Sequence, residues 1–245
     1  MRITFAGILA DAWALFRRDS DLLLRVAGPF LFLPAFALTL FVPPMPMPDR
    51  AILDRDLQAQ QWADAVTGWV GGYGLGFCAA YLLVYFGTAV IIALYCDPER
   101  PDLRGALRRA GSIYPRFLLA TILISIPAGL GMWLVIPGLY ILARTMLAAP
   151  TLLADPGTGA WAAIKRSLVL TRGSGLTLLG LAAFVYLIGL LGGQPFMMLD
   201  GWMRGTGAPN PIAVTVVDAA AAAVAMVTQL ALALIAIATH RRLAR

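Results

Sequence analysis

The sequence predicts an all-α membrane protein of six transmembrane helices, laid out as three hairpins, each preceded by a cytoplasmic interfacial amphipathic helix. Three observations predict it. The 245-residue chain is 60% hydrophobic and only 13% charged, about half the charged share of a soluble domain, and its mean hydropathy is +0.80. Its apolar residues fall into blocks long enough to cross a bilayer, which takes about 20 residues each. Its net charge of +6 comes from basic residues set between those blocks, which points to a membrane surface and away from nucleic acid.

The crossings follow in order. Leu22 to Val42 is the first, with Arg25 near its start and Pro29 and Pro34 inside. Val66 to Cys96 is the second, 31 residues without a charge. Residues 117–154 carry one charge, Arg144, in 38 positions. A straight helix of that length would be about 57 Å, nearly two bilayers, so the chain must fold back, and Ile136-Pro137-Gly138 at its centre supplies the turn chemistry. That gives crossings at 117–135 and 138–154. Gly173 to Leu199 and Ile212 to Thr239 complete the six.

With both termini inside, fifteen of the 19 Lys and Arg fall on the cytoplasmic side, as the positive-inside bias requires. Arg50, Arg55 and Arg204 fall outside. The expected setting is the bacterial inner membrane, N-in and C-in. Asp11 and Arg17-Arg18 break the first apolar stretch, so it does not read as a signal peptide, and the mature chain is expected to start near Met1.

The segments ahead of the three hairpins are alike. Residues 12–18 read AWALFRR, residues 103–109 LRGALRR and residues 160–166 AWAAIKR. A single domain, 1–245, thus divides into units of about 1–96, 97–154 and 155–245. In a helix Phe5, Leu9, Trp13 and Phe16 share a face, which would lie in the acyl boundary with arginines at the headgroups. The expected contacts with anionic lipid of the cytoplasmic leaflet are Trp13, Arg17, Arg18, Arg108, Arg109, Trp161, Lys165 and Arg166. Each basic residue contributes about 1 kcal/mol when well placed.

Residues 136–180, IPGLYILARTMLAAPTLLADPGTGAWAAIKRSLVLTRGSGLTLLG, carry a resemblance on Pro137, Gly138, Tyr140, Arg144, Lys165, Arg166, Ser167, Thr171, Arg172 and Gly173. The stretch resembles the bacterial glycerophosphoryl diester phosphodiesterase membrane domain and the related YciC-like integral membrane proteins. The resemblance agrees with a six-span layout and implies no activity for this chain. In fused members the phosphodiesterase chemistry belongs to a separate soluble metal-dependent barrel, which these 245 residues lack.

No self-sufficient catalytic site is expected. The single histidine, His240, rules out a His-rich zinc site or a Ser-His-Asp arrangement. Asp49, Asp54, Asp56 and Asp64 in the first outer loop read as a solvated acidic surface rather than a cation site. Pro43-Pro44-Met45-Pro46-Met47-Pro48 reads as a stiff exit from the first span, with too few thioethers for copper. Cys78 and Cys96 lie 18 residues apart in one apolar run, about 27 Å if helical, too far for a disulfide. No cofactor or metal is expected.

Gly72-Tyr-Gly74-Leu-Gly76 lacks the strand-to-helix context of a phosphate loop. Gly68, Gly72 and Gly76 instead form a small-residue stripe for helix packing, in the bundle interior or a self-dimer.

Arg144 and Asp218 are the charges well inside spans, where each costs about 2.5–3.5 kcal/mol. Counted from the outer face both lie about 9–11 Å deep, so an ion pair between the fourth and sixth spans is expected. It would pin the bundle or line a polar cavity for a lipid headgroup or small anion. The functional expectation is a non-catalytic lipid- or envelope-associated accessory or scaffold. Its partners would be membrane lipids, with a protein partner or homo-oligomer allowed and no nucleic acid. The alternative is a small-solute or lipid transporter or channel component, favoured by the Arg144/Asp218 pair and by Pro29, Pro34 and Pro127 in the spans. A wet central cavity would favour transport, and an outward groove in a dry bundle would favour lipid.

Overall fold

Lipid offers no water to backbone N–H and C=O groups, so a spanning chain must satisfy them within its own helices. A computed structural model describes residues 3–49, 51–52, 54–97, 99, 101–155, 157–205 and 210–244, and every regular element among them is helical. In order they are α1 (Phe5–Ala27), a π-helical turn (Gly28–Phe32), α2 (Leu33–Phe41), α3 (Arg55–Cys96), α4 (Leu103–Met132), α5 (Ile136–Thr145), α6 (Ala148–Ala154), α7 (Ala160–Leu170), α8 (Gly175–Gly205) and α9 (Pro211–Leu243). Six stretches are long and apolar enough to cross a membrane: Phe5–Phe41, Arg55–Cys96, Leu103–Met132, Ile136–Ala154, Gly175–Gly205 and Pro211–Leu243. The six helical stretches expected from the sequence are therefore found, each long and apolar enough to cross, including the division of 117–154.

Short polar side chains set the helix starts. Thr4 accepts from the Gly7 N–H, Asp54 from Asp56 and Leu57, Asp102 from Gly105, and Asn210 from Ile212 and Ala213, each satisfying donors that the first turn leaves orphaned. Prolines set the breaks. Pro29 lies in the π-helical turn of the first span, where the regular ladder is interrupted. Pro150 lies in the first turn of α6. It cannot donate to Met146, and its ring clashes with the carbonyl four residues back. The fourth span accordingly parts at Met146–Leu147 into α5 and α6.

The fold-back between α4 and α5 falls at Trp133–Val135, one step before the residues expected, and Ile136-Pro137 open α5, with proline in its favoured first turn. Val135 takes φ 57°, a costly value for a β-branched residue. The turn is tight because two glycines meet. A Cβ on Gly138 would lie 2.6 Å from the Met132 nitrogen, and one on Gly131 would lie 2.8 Å from the Gly138 nitrogen.

Helices approach closely elsewhere through small residues, as association in lipid requires. Gly87 of α3 seats Phe30, and Gly189 of α8 seats Thr228 of α9. The core gathers Ile8 and Leu23 of α1, Ile91 and Ile92 of α3, Leu152 and Leu153 of α6, Leu178 and Leu181 of α8, and Ile235 of α9. The stripe of Gly68, Gly72 and Gly76 takes no part. A Cβ at any of the three would meet nothing within 4 Å, so the bundle interior does not use it.

The three repeated segments are built differently. The first belongs to α1, which bends at Asp19 (φ −122°, ψ 25°). The second forms the opening turns of α4, and the third is a helix of its own, α7.

Gly138→Ala should cost about 1–3 kcal/mol, since the methyl group meets fixed backbone of α4. Gly72→Ala should be neutral or stabilising by up to about 1 kcal/mol. Thermal unfolding in detergent micelles, followed by tryptophan fluorescence, checks both.

Candidate functional site

The two in-span charges find different partners. Asp218 is only 2% exposed. Its Oδ2 lies 2.7 Å from Arg204 Nη2, and Arg204 Nε lies 2.6 Å from Asp200 Oδ1. Arg204 also donates to the Thr39 carbonyl at 3.4 Å, so one guanidinium joins α2, α8 and α9. Arg144 lies among neutral groups. Its Nε donates to Thr171 Oγ1 at 2.8 Å, Nη2 to the Leu168 carbonyl at 2.6 Å and Nη1 to the Tyr140 hydroxyl at 3.0 Å.

The expected Arg144–Asp218 pair is thus not formed. Counting depth along a straight 138–154 helix fails because α5 ends at Thr145 and α7 returns beside it, bringing Leu168 and Thr171 to Arg144. On the sequence Arg204 falls among the outer charges, although the i,i+4 spacing of Asp200 and Arg204 at the end of the fifth span signals a helical pair.

The first and third repeated segments expose the same face. Trp13 and Trp161 are each 60% exposed. The residue before each tryptophan (Ala12, Ala160) and the residue two after it (Leu15, Ala163) are buried, and the basic pair that follows is exposed. Each tryptophan also borders an apolar groove. Trp13, with Leu9, Phe16 and Leu24 of α1, faces Met226, Val227 and Leu230 of α9 across about 400 Å³. Trp161, with Ile164 and Leu168 of α7, faces Leu123, Ile124 and Pro127 of α4 and Tyr140 and Arg144 of α5 across about 410 Å³.

The basic residues of the repeats divide by partner. Arg17 and Arg108 are exposed. Arg18 pairs with Asp19 at 2.8 Å, and Asp19 also accepts from the Tyr95 hydroxyl at 2.8 Å. Lys165 Nζ lies over the Trp161 ring, 5.5 Å from its centroid. Arg166 pairs loosely with Asp155 at 3.7 Å. In that loop the Thr158 hydroxyl, the Gly157 N–H and Arg166 hold the Asp155 carboxyl below its ordinary range.

Arg109 departs from the expected lipid contact. It turns inward, 3.0 Å from the buried Asp97 carboxylate and 3.4 Å from the Leu153 carbonyl, because its face of α4 meets the ends of α3 and α6. Two further arginines, not singled out by sequence, tie α9 to its neighbours. Arg241 donates to the Tyr95 carbonyl at 3.1 Å, and Arg242 reaches Asp11 at 2.5 Å and the Gly7 carbonyl at 3.0 Å.

A central cavity of about 260 Å³ lies at the break between α5 and α6. Thr88, Thr121, Ser125, Thr145 and Gln229 line it, with Tyr85 and Tyr186, among apolar residues and without a charged side chain. The hydroxyls of Thr88, Thr121 and Thr145 donate to carbonyls one turn back, those of Val84, Phe117 and Ile141.

At the opposite end from the basic pairs, the proline-rich segment is clamped along α3. Trp69 Nε1 donates to the Pro43 carbonyl at 2.9 Å, Trp62 Nε1 to the Pro46 carbonyl at 3.0 Å, and Gln58 to the Asp49 carbonyl. The acceptors are three residues apart, the period of a polyproline helix, so all three carbonyls face α3. Asp54 serves as the helix cap, and no group of three His, Cys, Asp or Glu able to hold a metal occurs among the described residues.

No protein-family model matches the chain, and neither a curated protein nor a solved structure matches it.

The pairing makes a direct test. Arg204→Gln and Asp218→Asn should be non-additive by 1 kcal/mol or more, about the coupling expected for contacting groups, whereas Arg144→Gln and Asp218→Asn should add to within about 0.5 kcal/mol. Unfolding titrations in mixed micelles read both cycles.

Proposed function

We propose that this chain is a non-catalytic integral inner-membrane protein that holds phospholipid at the cytoplasmic leaflet, as an accessory or scaffold of the envelope. One observation carries the reading. Two copies of a repeated motif each set an exposed tryptophan at the rim of a lateral apolar groove, with exposed basic residues one turn further on. Volumes of about 400 Å³ fall in the range of ligand-binding clefts. Indole at the interface and arginine at the headgroups is the chemistry of a segment lying on a membrane.

In this reading the chain is N-in and C-in, its crossings form three hairpins, and the Trp13 and Trp161 segments are interfacial. It agrees with the resemblance of residues 136–180 to the phosphodiesterase membrane-domain and YciC-like proteins, and it gives this chain no reaction to perform.

A second reading, a transporter component, is favoured by the central cavity beside the broken fourth span, since interrupted helices at a cavity are a transporter feature. Its lining carries no charge, which suits an uncharged solute better than an ion.

Native mass spectrometry from membranes of phosphatidylglycerol and phosphatidylethanolamine tests the first reading. Retained phospholipid is expected, with Trp13→Ala and Trp161→Ala each lowering the number of lipids held. Wild-type protein that emerges without lipid would sink it.

A further inference from the structure

The two grooves differ in charge. Arg18 is neutralised by Asp19 and Arg25 by Asp21, and the groove beside Trp13 is lined by apolar side chains throughout. The groove beside Trp161 contains Arg144. A guanidinium has five N–H donors. Arg144 gives three of them to uncharged oxygens, leaving two, and no carboxylate lies within ion-pair distance among the described residues. A partly buried positive charge beside apolar walls without a counter-charge favours an anion in the groove.

The guanidinium is also held in place. Thr171, Leu168 and Tyr140 fix its three donors, and Gly175 lets Tyr140 and Arg144 close up, since a Cβ there would lie 3.0 Å from the Tyr140 hydroxyl and 3.3 Å from Arg144 Cδ. A fixed fork loses little freedom on meeting phosphate. Lys165 stands over Trp161 at the rim, and exposed Arg172 follows Thr171 in sequence. No acidic residue lines the groove. Such surroundings attract a phosphate and repel an ammonium on the same headgroup.

We propose that the Arg144 groove binds a phospholipid of net negative charge, its phosphate on Arg144 and its acyl chain against Leu123, Ile124, Pro127 and Ile164. The proposal rests on the lipid-holding reading and adds a headgroup choice to one of the two grooves. Lipid tails are as apolar as the groove wall, so chain burial alone selects nothing. The arginine makes the selection.

The test uses the full-length protein in nanodiscs of equal phosphatidylglycerol and phosphatidylcholine, with retained lipid identified by native mass spectrometry. Wild type should hold phosphatidylglycerol over phosphatidylcholine at about five to one against the equal bulk ratio, the preference one well-placed arginine supplies. Arg144→Gln should still hold lipid with the preference brought close to one. Leu123→Trp, which fills the groove without touching the Arg144 hydrogen bonds, should lose one retained phosphatidylglycerol. An unchanged preference in Arg144→Gln overturns the proposal. Wild type that holds lipid without preference overturns it and leaves the lipid-holding reading intact, whereas wild type that holds none overturns both. If Arg144→Gln does not fold, Leu123→Trp decides, and undiminished phosphatidylglycerol overturns the proposal.

Discussion

One buried hydroxyl joins the broken fourth span to α7. Pro150 parts the helix at Met146–Leu147, which leaves backbone groups without their usual partners in a setting where each unsatisfied group costs several kcal/mol. Ser167, fully buried on α7, answers both sides of the break. Its Oγ donates to the Arg144 carbonyl at 2.8 Å and accepts the Leu147 N–H at 3.2 Å. Thr171, four residues on at the C-terminal cap of α7, accepts from the Arg144 side chain. Sequence, local structure and site are linked here in a single step, because the proline that opens the helix creates the groups that dock α7. Docked α7 then brings Trp161, Ile164 and Leu168 to the groove.

The first repeated segment reaches a similar arrangement by other contacts. Its bend at Asp19 is held by the Tyr95 hydroxyl and Arg18, and its start is held by Arg242 through Asp11 and the Gly7 carbonyl. The common outcome is a tryptophan helix leaning on the bundle with an apolar cleft beneath it. The means differ, with ion pairs to Asp11 and Asp19 on α1 and hydrogen bonds through Ser167, Leu168 and Thr171 on α7. The first groove is lined by apolar side chains, whereas the second holds Arg144 with no carboxylate within ion-pair distance among the described residues.

Much of the fold was legible because lipid imposes coarse rules. Hydropathy and length gave the six crossings, and the excessive length of 117–154 required the turn near Pro137. Caps at Asp54, Asp102 and Asn210 follow from residue type. The partner of Arg144 was not legible from depth, because depth counted along a sequence presumes a straight helix. The signal against straightness was present in Pro150, whose effect falls on Met146, four residues earlier. The bundle-interior use of the glycine stripe was not legible for a related reason. Spacing identifies a smooth helix face but not what lies against it, and the close contacts fall instead at single glycines, Gly87, Gly131, Gly138 and Gly189.

The contrast between the central cavity and the lateral grooves bears on which function the architecture suits. The central cavity is lined by hydroxyls already engaged with their own helices, by Gln229 and two tyrosines, and by no charge. The lateral grooves sit beside the exposed basic residues of the repeats. An amphipathic molecule needs apolar wall and charge together, and the Trp161 groove brings the two into contact at Arg144. A phospholipid reaching them from the membrane plane keeps its chains in an apolar medium throughout, so the cost of entry falls on the headgroup alone. The Trp161 groove lowers that cost, because Arg144 is already oriented by three hydrogen bonds and has no carboxylate within ion-pair distance among the described residues before any lipid arrives.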